Sequence, residues 1–455
     1  MIAINKRNIK EEFAEAEKTF EFCWNVLIVL KDLSLARKDF ELDLLTFQDK
    51  LATTIFKLQS IRETIILQEK NYIKNKANYD LKWFGTKMKI LATYKKGVDN
   101  VVNIAKAFGD AYAYFFYQKD LELFTEHLSH QKISNKNAGI GERGELEFIK
   151  SVKHIQGNFT LFHGITNVLR YGDYSFIDLK TLTVVGIGEL KTKHIEPTKL
   201  ELNLFYIKRI KTLEKSKSSK KETDKRKRQL INIDNFLHPE KKSTDKSAKL
   251  YSDSYSFEVE NLIKASRLKK SSFIKVSNGL AFGCIKLKKT SLYNRIFHTK
   301  FNSVENFGSD ATSILNQLIN KDSPNNGIVL GQLLYNPDFT DKNTPGTVPI
   351  FWHKINHRIL KKIYFADCVV ISMFNPTYLI EEVEELGFDV DSKYSKKKVA
   401  FDSISKNAVQ HFDLFLSYIM NFLMSEDFVI KSINEIKNHN YQSSTIVQMK
   451  PQQKL

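Results

Sequence analysis

The chain has 455 residues, with 70 Lys and Arg against 52 Asp and Glu and a formal net charge of +18. Hydrophobic residues make up 42% and Phe alone occurs 33 times, enough apolar material for packed cores, so a globally disordered chain is excluded. At about 150 residues per domain the length predicts two to four domains, and the charge favours a polyanionic partner: nucleic acid, an anionic surface or an acidic protein.

Residues 1–131 contain no proline and read as helical. Apolar positions recur at three- and four-residue steps through Phe13, Ala16, Phe20, Cys23, Leu27 and Leu30, then through Phe40, Leu44, Phe47, Leu51, Ile55, Leu58 and Ile65. Ser34 breaks the first helix from the second; a third is expected over 79–107 and a fourth over 110–130. Together they predict a helical bundle or a coiled-coil arm. Its stripe either packs internally or forms a seam for a partner protein or a second copy. No apolar run approaches the ~20 residues that span a bilayer, and the N-terminus has no secretory centre. The three cysteines, Cys23, Cys284 and Cys368, are too scattered for a metal knuckle or disulfide framework. A cytoplasmic protein without a membrane partner is expected.

The stretch 132–141, rich in Ser, Asn and Gly, reads as a linker. A helix is expected over 142–156 and strands over 159–193. Between Lys208 and Lys249 lie 15 basic and 6 acidic residues, half of the net charge in about a tenth of the length. Such a run cannot bury itself. It is either a solvated insertion or an arm whose Lys220, Lys221, Lys225, Arg226, Lys227 and Arg228 contact phosphates. Lysine outnumbers arginine 59 to 11, which reflects AT-rich codon usage as much as phosphate binding. Farther on, 271–289 reads as a hairpin turning at Asn278-Gly279, 327–335 and 367–374 as buried strands, and Thr377 to Leu386 as a helix stopped by Gly387. The expected divisions are 1–131, 139–205 (or continuing past 250), a basic insertion at 206–250, an α/β region at 251–437 and a polar tail at 438–455.

Chemistry concentrates in 141–152 and 172–193. On a strand from Val184, Val185, Ile187, Glu189 and Lys191 share one face, because strand side chains alternate. A hairpin turning near 181–183 is expected to bring Asp178 beside Glu189. Two carboxylates at one spot repel unless a cation lies between them, and hard oxygen donors suit Mg²⁺ or Mn²⁺. A neighbouring lysine can orient water or stabilise charge on a phosphate. The helix presents Glu145 on its apolar side, with Glu142 one turn earlier as the second candidate, while Glu147 faces solvent. The bland alternative is a set of ion pairs, Glu189 with Lys191 or Lys193 and Asp178 with Lys180.

This order of Gly141-Glu142-Arg143-Gly144-Glu145, then Ile177-Asp178, then Glu189-Leu190-Lys191 resembles the PD-(D/E)xK (restriction endonuclease-like) nuclease superfamily, in its NERD-like and Mrr-like branch. The resemblance covers residues 139–205, about a seventh of the chain. It implies a mixed sheet flanked by helices, within an overall α+β or α/β multidomain chain. It also implies Mg²⁺-dependent (or Mn²⁺-dependent) hydrolysis of phosphodiester bonds, in DNA before RNA, and a setting in restriction-type or anti-phage defence. Asp178, Glu189 and Glu145 would hold the metal, and Lys191 would position the attacking water. The alternative from another class is a non-catalytic nucleic-acid-binding or adaptor subunit. The pairs His353/His357 and His127/His130 have helical spacing but no third ligand, and read as surface or packing histidines. No phosphate-binding GxxxxGK[ST] loop occurs.

Overall fold

The computed structural model describes residues 4–31, 40–118, 120, 123–124, 127, 140–196, 199–208, 254–266, 271–287, 290–298, 308–319, 329–333, 349–392, 394, 408–409 and 412–438. The basic run beyond Lys208, with its six candidate phosphate contacts, lies outside them, as does the polar tail.

Three long helices open the chain: α1 (Lys6–Lys31), α2 (Phe40–Lys74) and α3 (Leu81–Tyr117). Asn5 starts α1 by accepting the amides of Arg7 and Asn8 on its Oδ1 at 2.9 and 3.1 Å. The apolar stripe expected on α1 and α2 is buried within the chain: Phe13, Phe20, Cys23, Leu27, Leu44, Phe47, Leu51 and Ile55 all belong to the core. Those positions are therefore occupied by intrachain packing. The expected fourth helix over 110–130 begins inside α3, which runs on to Tyr117. From Phe108 to Tyr117 every α3 residue is buried, the mark of a helix covered on all sides rather than one with a wet face.

After α3 come α4 (Ile140–Ser151) and a five-stranded sheet: β1 (His154–Ile155), β2 (Asn158–Phe162), β3 (Tyr174–Asp178), β4 (Thr183–Glu196) and β5 (Lys199–Lys208). Strand order follows chain order, and every described pairing is antiparallel. A mixed sheet was implied by the family resemblance. Here β1 to β4 are joined by short turns and one short irregular segment, and among the described residues no crossover helix returns the chain in parallel. Gln48 of α2 clamps β2, donating to the Thr160 carbonyl at 2.9 Å and accepting the Phe162 amide at 2.7 Å. Asp110 of α3 accepts the amides of Asn167 and Val168 at 2.6 and 3.1 Å.

The remainder contains α5 (Ser256–Ala265), β6 (Ser271–Lys275), β7 (Leu280–Lys286), α6 (Leu292–His298), α7 (Gly308–Leu318), β8 (Leu330–Leu333), α8 (His357–Tyr364), β9 (Cys368–Phe374), α9 (Pro376–Glu385), β10 (Asp389–Val390), β11 (Ala408–Val409), α10 (Asp413–Phe422) and α11 (Glu426–Asn438). Four strands pair antiparallel in the order β6-β7-β9-β8, and β10 and β11 pair in parallel. The helical region touches this part too. Trp352 Nε1 donates to the Ala111 carbonyl at 2.8 Å, Lys31 Nζ donates to the Phe351 carbonyl at 2.7 Å, and buried Arg295 bridges Glu17 and Asp367. The chain is thus mixed α+β, with α3 meeting β4 of the five-stranded sheet and, through Ala111, the Trp352 turn of the later region. Among the described residues no helix is long and apolar enough to cross a membrane.

Candidate active site

Register decides which residues the β3–β4 hairpin brings together. Tyr174 pairs with Gly188 and Ser175 with Ile187, whereas Asp178 pairs with Thr183 at the turn. Asp178 is therefore six positions from Glu189, about 20 Å along a strand. Its carboxylate caps its own turn, accepting the Lys180 amide at 2.9 Å, and this bond holds its pKa below the usual value. The sequence-based expectation that Asp178 meets Glu189 is not met, because the chain reverses immediately after it.

The residue that does stand across from Glu189 is Asp173. One position before β3, its amide donates to the Gly188 carbonyl at 2.8 Å, and its Oδ2 accepts the Leu190 amide at 2.7 Å. Burial raises the Asp173 pKa to about 6; the Glu189 charge adds to the rise, while the Leu190 amide and Lys191 oppose it. Glu189 contacts the Lys191 ammonium, the ion pair that the sequence allowed, and its charge also helps burial push the Tyr171 phenol up to about 12. Lys191 remains half exposed.

Helix α4 covers the other face. A Cβ on Gly144 would collide with the Thr192 side chain, and Phe148 packs on Tyr174 with ring centroids 4.6 Å apart. Thr192 and Leu190 alternate with Lys191 and Glu189, so α4 lies behind the strand that carries the acid–lysine pair. Glu145 holds Tyr174 through its main-chain carbonyl, which accepts the phenol at 3.1 Å. Its main chain thus lies on the face of β4 opposite to Glu189. Glu147 is exposed, as expected. Among the described residues no three His, Cys, Asp or Glu side chains converge closely enough to hold one ion.

Behind Asp173 runs a buried polar chain that sequence reading did not find. The Gly172 carbonyl can only accept, so His163 Nδ1 carries the proton of their 3.0 Å bond and Nε2 is an acceptor. Ser175 Oγ, 2.6 Å away, donates to Nε2. Tyr117 then donates to Ser175, and His127 Nε2 donates to the Tyr117 oxygen at 2.9 Å. This leaves His127 Nδ1 to accept the Tyr171 amide at 3.3 Å. Both ends of the chain grip the Tyr171-Gly172 turn that leads into Asp173. Gly172 has φ +69°, and a Cβ there would lie 2.6 Å from Ile187 Cγ2, so the turn demands glycine. Burial lowers the His163 pKa to about 4. Although Ser175 and His163 are spaced like a nucleophile and base, Ser175 has no exposed surface, so no substrate reaches it. His127 belongs to this chain, His130 lies outside the described residues, and His353 is buried beside Ser256.

Compared with family models, curated proteins and solved structures, the chain matches none.

Proposed function

We propose that this chain is a divalent-metal-dependent nuclease, acting on DNA before RNA, whose site is built from Asp173, Glu189 and Lys191. The observation that supports it is the cross-strand placement of the Asp173 carboxylate beside Glu189, with Lys191 on the same face of β4. Asp173 takes the place that the family resemblance gave to Asp178.

The donor set fits a hard cation in kind. Mg²⁺ keeps several waters and takes one or two protein carboxylates, the rest of its shell coming from phosphate oxygens, so two acids suffice. Asp173 and Glu189 would hold the ion. A metal bound there would supply Lewis-acid polarisation of the phosphate and a more acidic water. The chain's own groups do the rest. The Leu190 amide fixes one Asp173 oxygen and leaves the other for a ligand. Burial and the Glu189 charge raise Asp173's affinity for a proton, and a dication relieves the same repulsion. Lys191, exposed at the rim, is placed to orient a water or to meet a phosphate oxygen.

The test compares wild type, Asp173→Ala and Lys191→Ala on plasmid DNA with Mg²⁺ or Mn²⁺. Wild type should nick the plasmid, and each variant should lose on the order of 100-fold or more. Wild type that never nicks, or two variants that cut normally, sinks the reading. A second reading draws on the Glu189–Lys191 ion pair itself: the cluster is then a strand-end lock in a nucleic-acid-binding subunit that does no chemistry. Binding of plasmid without cleavage selects it.

A further inference from the structure

The hairpin made by the end of α2 and the start of α3 projects from the body of the chain. From Glu69 to Ile90 no residue is buried, whereas α2 before it and α3 after it both feed the core. Arg62–Asp99 and Lys95–Glu69 ion pairs, at 2.5 and 2.8 Å, bind the two helices at the base of the projection. Above that base the surface is unusual in two ways.

It is apolar. Ile73, Leu81, Trp83 and Ile90 are four of the eight large hydrophobic residues exposed among the described residues. Tyr79 and Trp83 stack at 4.8 Å with 26° between planes, and Tyr72 meets both edge-on. It is also basic. Lys70, Lys74, Lys76, Lys82, Lys87 and Lys89 stand against Glu69 and Asp80. Both acids are engaged: Glu69 pairs with Lys95, and Asp80 caps α3 by accepting the Trp83 amide at 2.9 Å. Lys87 and Lys76 already lie over the Tyr72 and Phe84 rings, 5.8 and 5.6 Å from their centroids.

Flat rings ringed by lysines fit a polyanion that also offers flat apolar faces, which describes unpaired nucleic acid. A base stacked on an aromatic side chain contributes about 1–3 kcal/mol, whatever the sequence, while lysines neutralise the phosphates between bases. A bilayer fits less well. The apex carries Asn75, Lys76, Asn78 and Asp80, and insertion would take these polar groups into hydrocarbon before the flanking aliphatics reached it. We propose that this hairpin docks single-stranded nucleic acid, with a base on the Tyr79–Trp83 stack and phosphates on Lys74, Lys76, Lys82 and Lys87. The proposal shares its polymer with the nuclease reading but does not require hydrolysis.

The test is therefore run in EDTA with the full chain. Fluorescence anisotropy of a labelled oligothymidylate of about 20 nucleotides gives the affinity, and its dependence on salt gives the number of phosphates met. Trp83→Ala should weaken binding about 10-fold, and Trp83→Phe, which keeps a ring, should restore most of it. The triple change Lys74→Ala, Lys76→Ala, Lys82→Ala should flatten the salt slope by about 2. All these side chains lie outside the core, so melting curves should match wild type. Wild type that ignores the oligonucleotide overturns the proposal. So does tight binding to phosphatidylserine vesicles in its place. Binding that survives these changes but disappears when 211–230 is deleted assigns the contact to the basic run and overturns it as well. Cleavage lost in Asp173→Ala with oligonucleotide binding intact leaves this proposal standing on its own.

Discussion

The Asp173 carboxylate, one residue before the start of β3, accepts the Leu190 main-chain amide at 2.7 Å. A side chain thus occupies the place where the next main-chain carbonyl of the ladder would stand. The arrangement keeps the acid at the strand end and beside Glu189. If these two acids form the metal site, Mn²⁺ should stabilise wild type against heating by an amount that grows with its concentration. That stabilisation should vanish in Asp173→Ala and Glu189→Ala and persist in Asp178→Ala. A thermal-shift titration decides, and loss of the effect in Asp178→Ala alone contradicts the assignment.

Asp173 also makes stability depend on pH. Its pKa of about 6 lies above the 3.8 of an unperturbed Asp, so between those values the folded chain holds a proton that the unfolded chain releases. Stability from this group is therefore lost as pH rises through that window, at about 1.4 kcal/mol per pKa unit. Asn keeps an oxygen for the Leu190 amide and carries no charge. In metal-free buffer, Asp173→Asn should be more stable than wild type above pH 6, by about 2–3 kcal/mol, and equal to it below pH 4. Denaturant midpoints at pH 4 and 7.5 measure this. An Asn variant that is no more stable at pH 7.5 refutes it.

Local pattern made much of this readable. Alternation located β3 and β4, a buried apolar run located β9, Asn278-Gly279 fixed the β6–β7 turn, and Gly387 at φ +83° stops the helix after Glu385. The Glu189–Lys191 face followed from the same alternation. Three things did not follow. In residues 108–117 nearly every position is apolar or small, so no period marks a face and the sequence placed a break where α3 continues. Asp110 looked like a helix start, but its carboxylate serves amides 57 and 58 residues away. The hairpin turn and the Ile177-Asp178 resemblance both point to Asp178, although an acid six residues into β4 must face the beginning of β3. Counting back through the turn at 179–182 leads to Gly172, and only the bulge between Phe176 and Ile177, which no sequence signal marked, moves the partner of Glu189 to Asp173.

The polar chain behind Asp173 predicts a tautomer. Protonating His163 would make both ring nitrogens donors, leaving Ser175 to accept from His163 and Tyr117 at once with no place for its own proton. Together with burial, this keeps the ring neutral until about pH 4. Stability from the neutral ring is present above pH 6.5 and lost as pH falls toward 4, opposite in sign to Asp173. Nitrogen-15 spectra of the histidines should show His163 protonated on Nδ1 alone at pH 5.5. A His163 ring titrating near 6.5 refutes the direction of the chain.

Cutting the same chain at its middle should loosen the turn. Ser175→Ala removes the acceptor for Tyr117 and the donor to His163, two buried groups, at about 2–4 kcal/mol. Tyr117→Phe removes the same link from the other side, so the double variant should cost clearly less than the sum of the two. Hydrogen exchange adds a local readout: the Leu190 amide should exchange faster in Ser175→Ala if the turn no longer holds Asp173. Additive costs with an unchanged Leu190 amide would mean that the chain packs the interior without positioning the acid.

Two glycines on α3 should respond to alanine in opposite directions. A Cβ on Gly109 would lie 1.9 Å from the Ile165 carbonyl oxygen and 2.7 Å from its carbon, both main-chain atoms. Neither partner can yield freely, because Asp110, the next residue, is bonded to the Asn167 and Val168 amides of the segment that follows Ile165. Making room means parting α3 from that segment, so Gly109→Ala should cost about 2–4 kcal/mol. Gly85 sits on the projecting hairpin with nothing within 4 Å of its Cβ position, and alanine there should gain about 0.5–1 kcal/mol of helix propensity. Urea midpoints for the two variants should move apart. A Gly109→Ala protein as stable as wild type would show that α3 does not approach the Ile165 turn so closely, and the seating of the sheet against α3 would have to be revised.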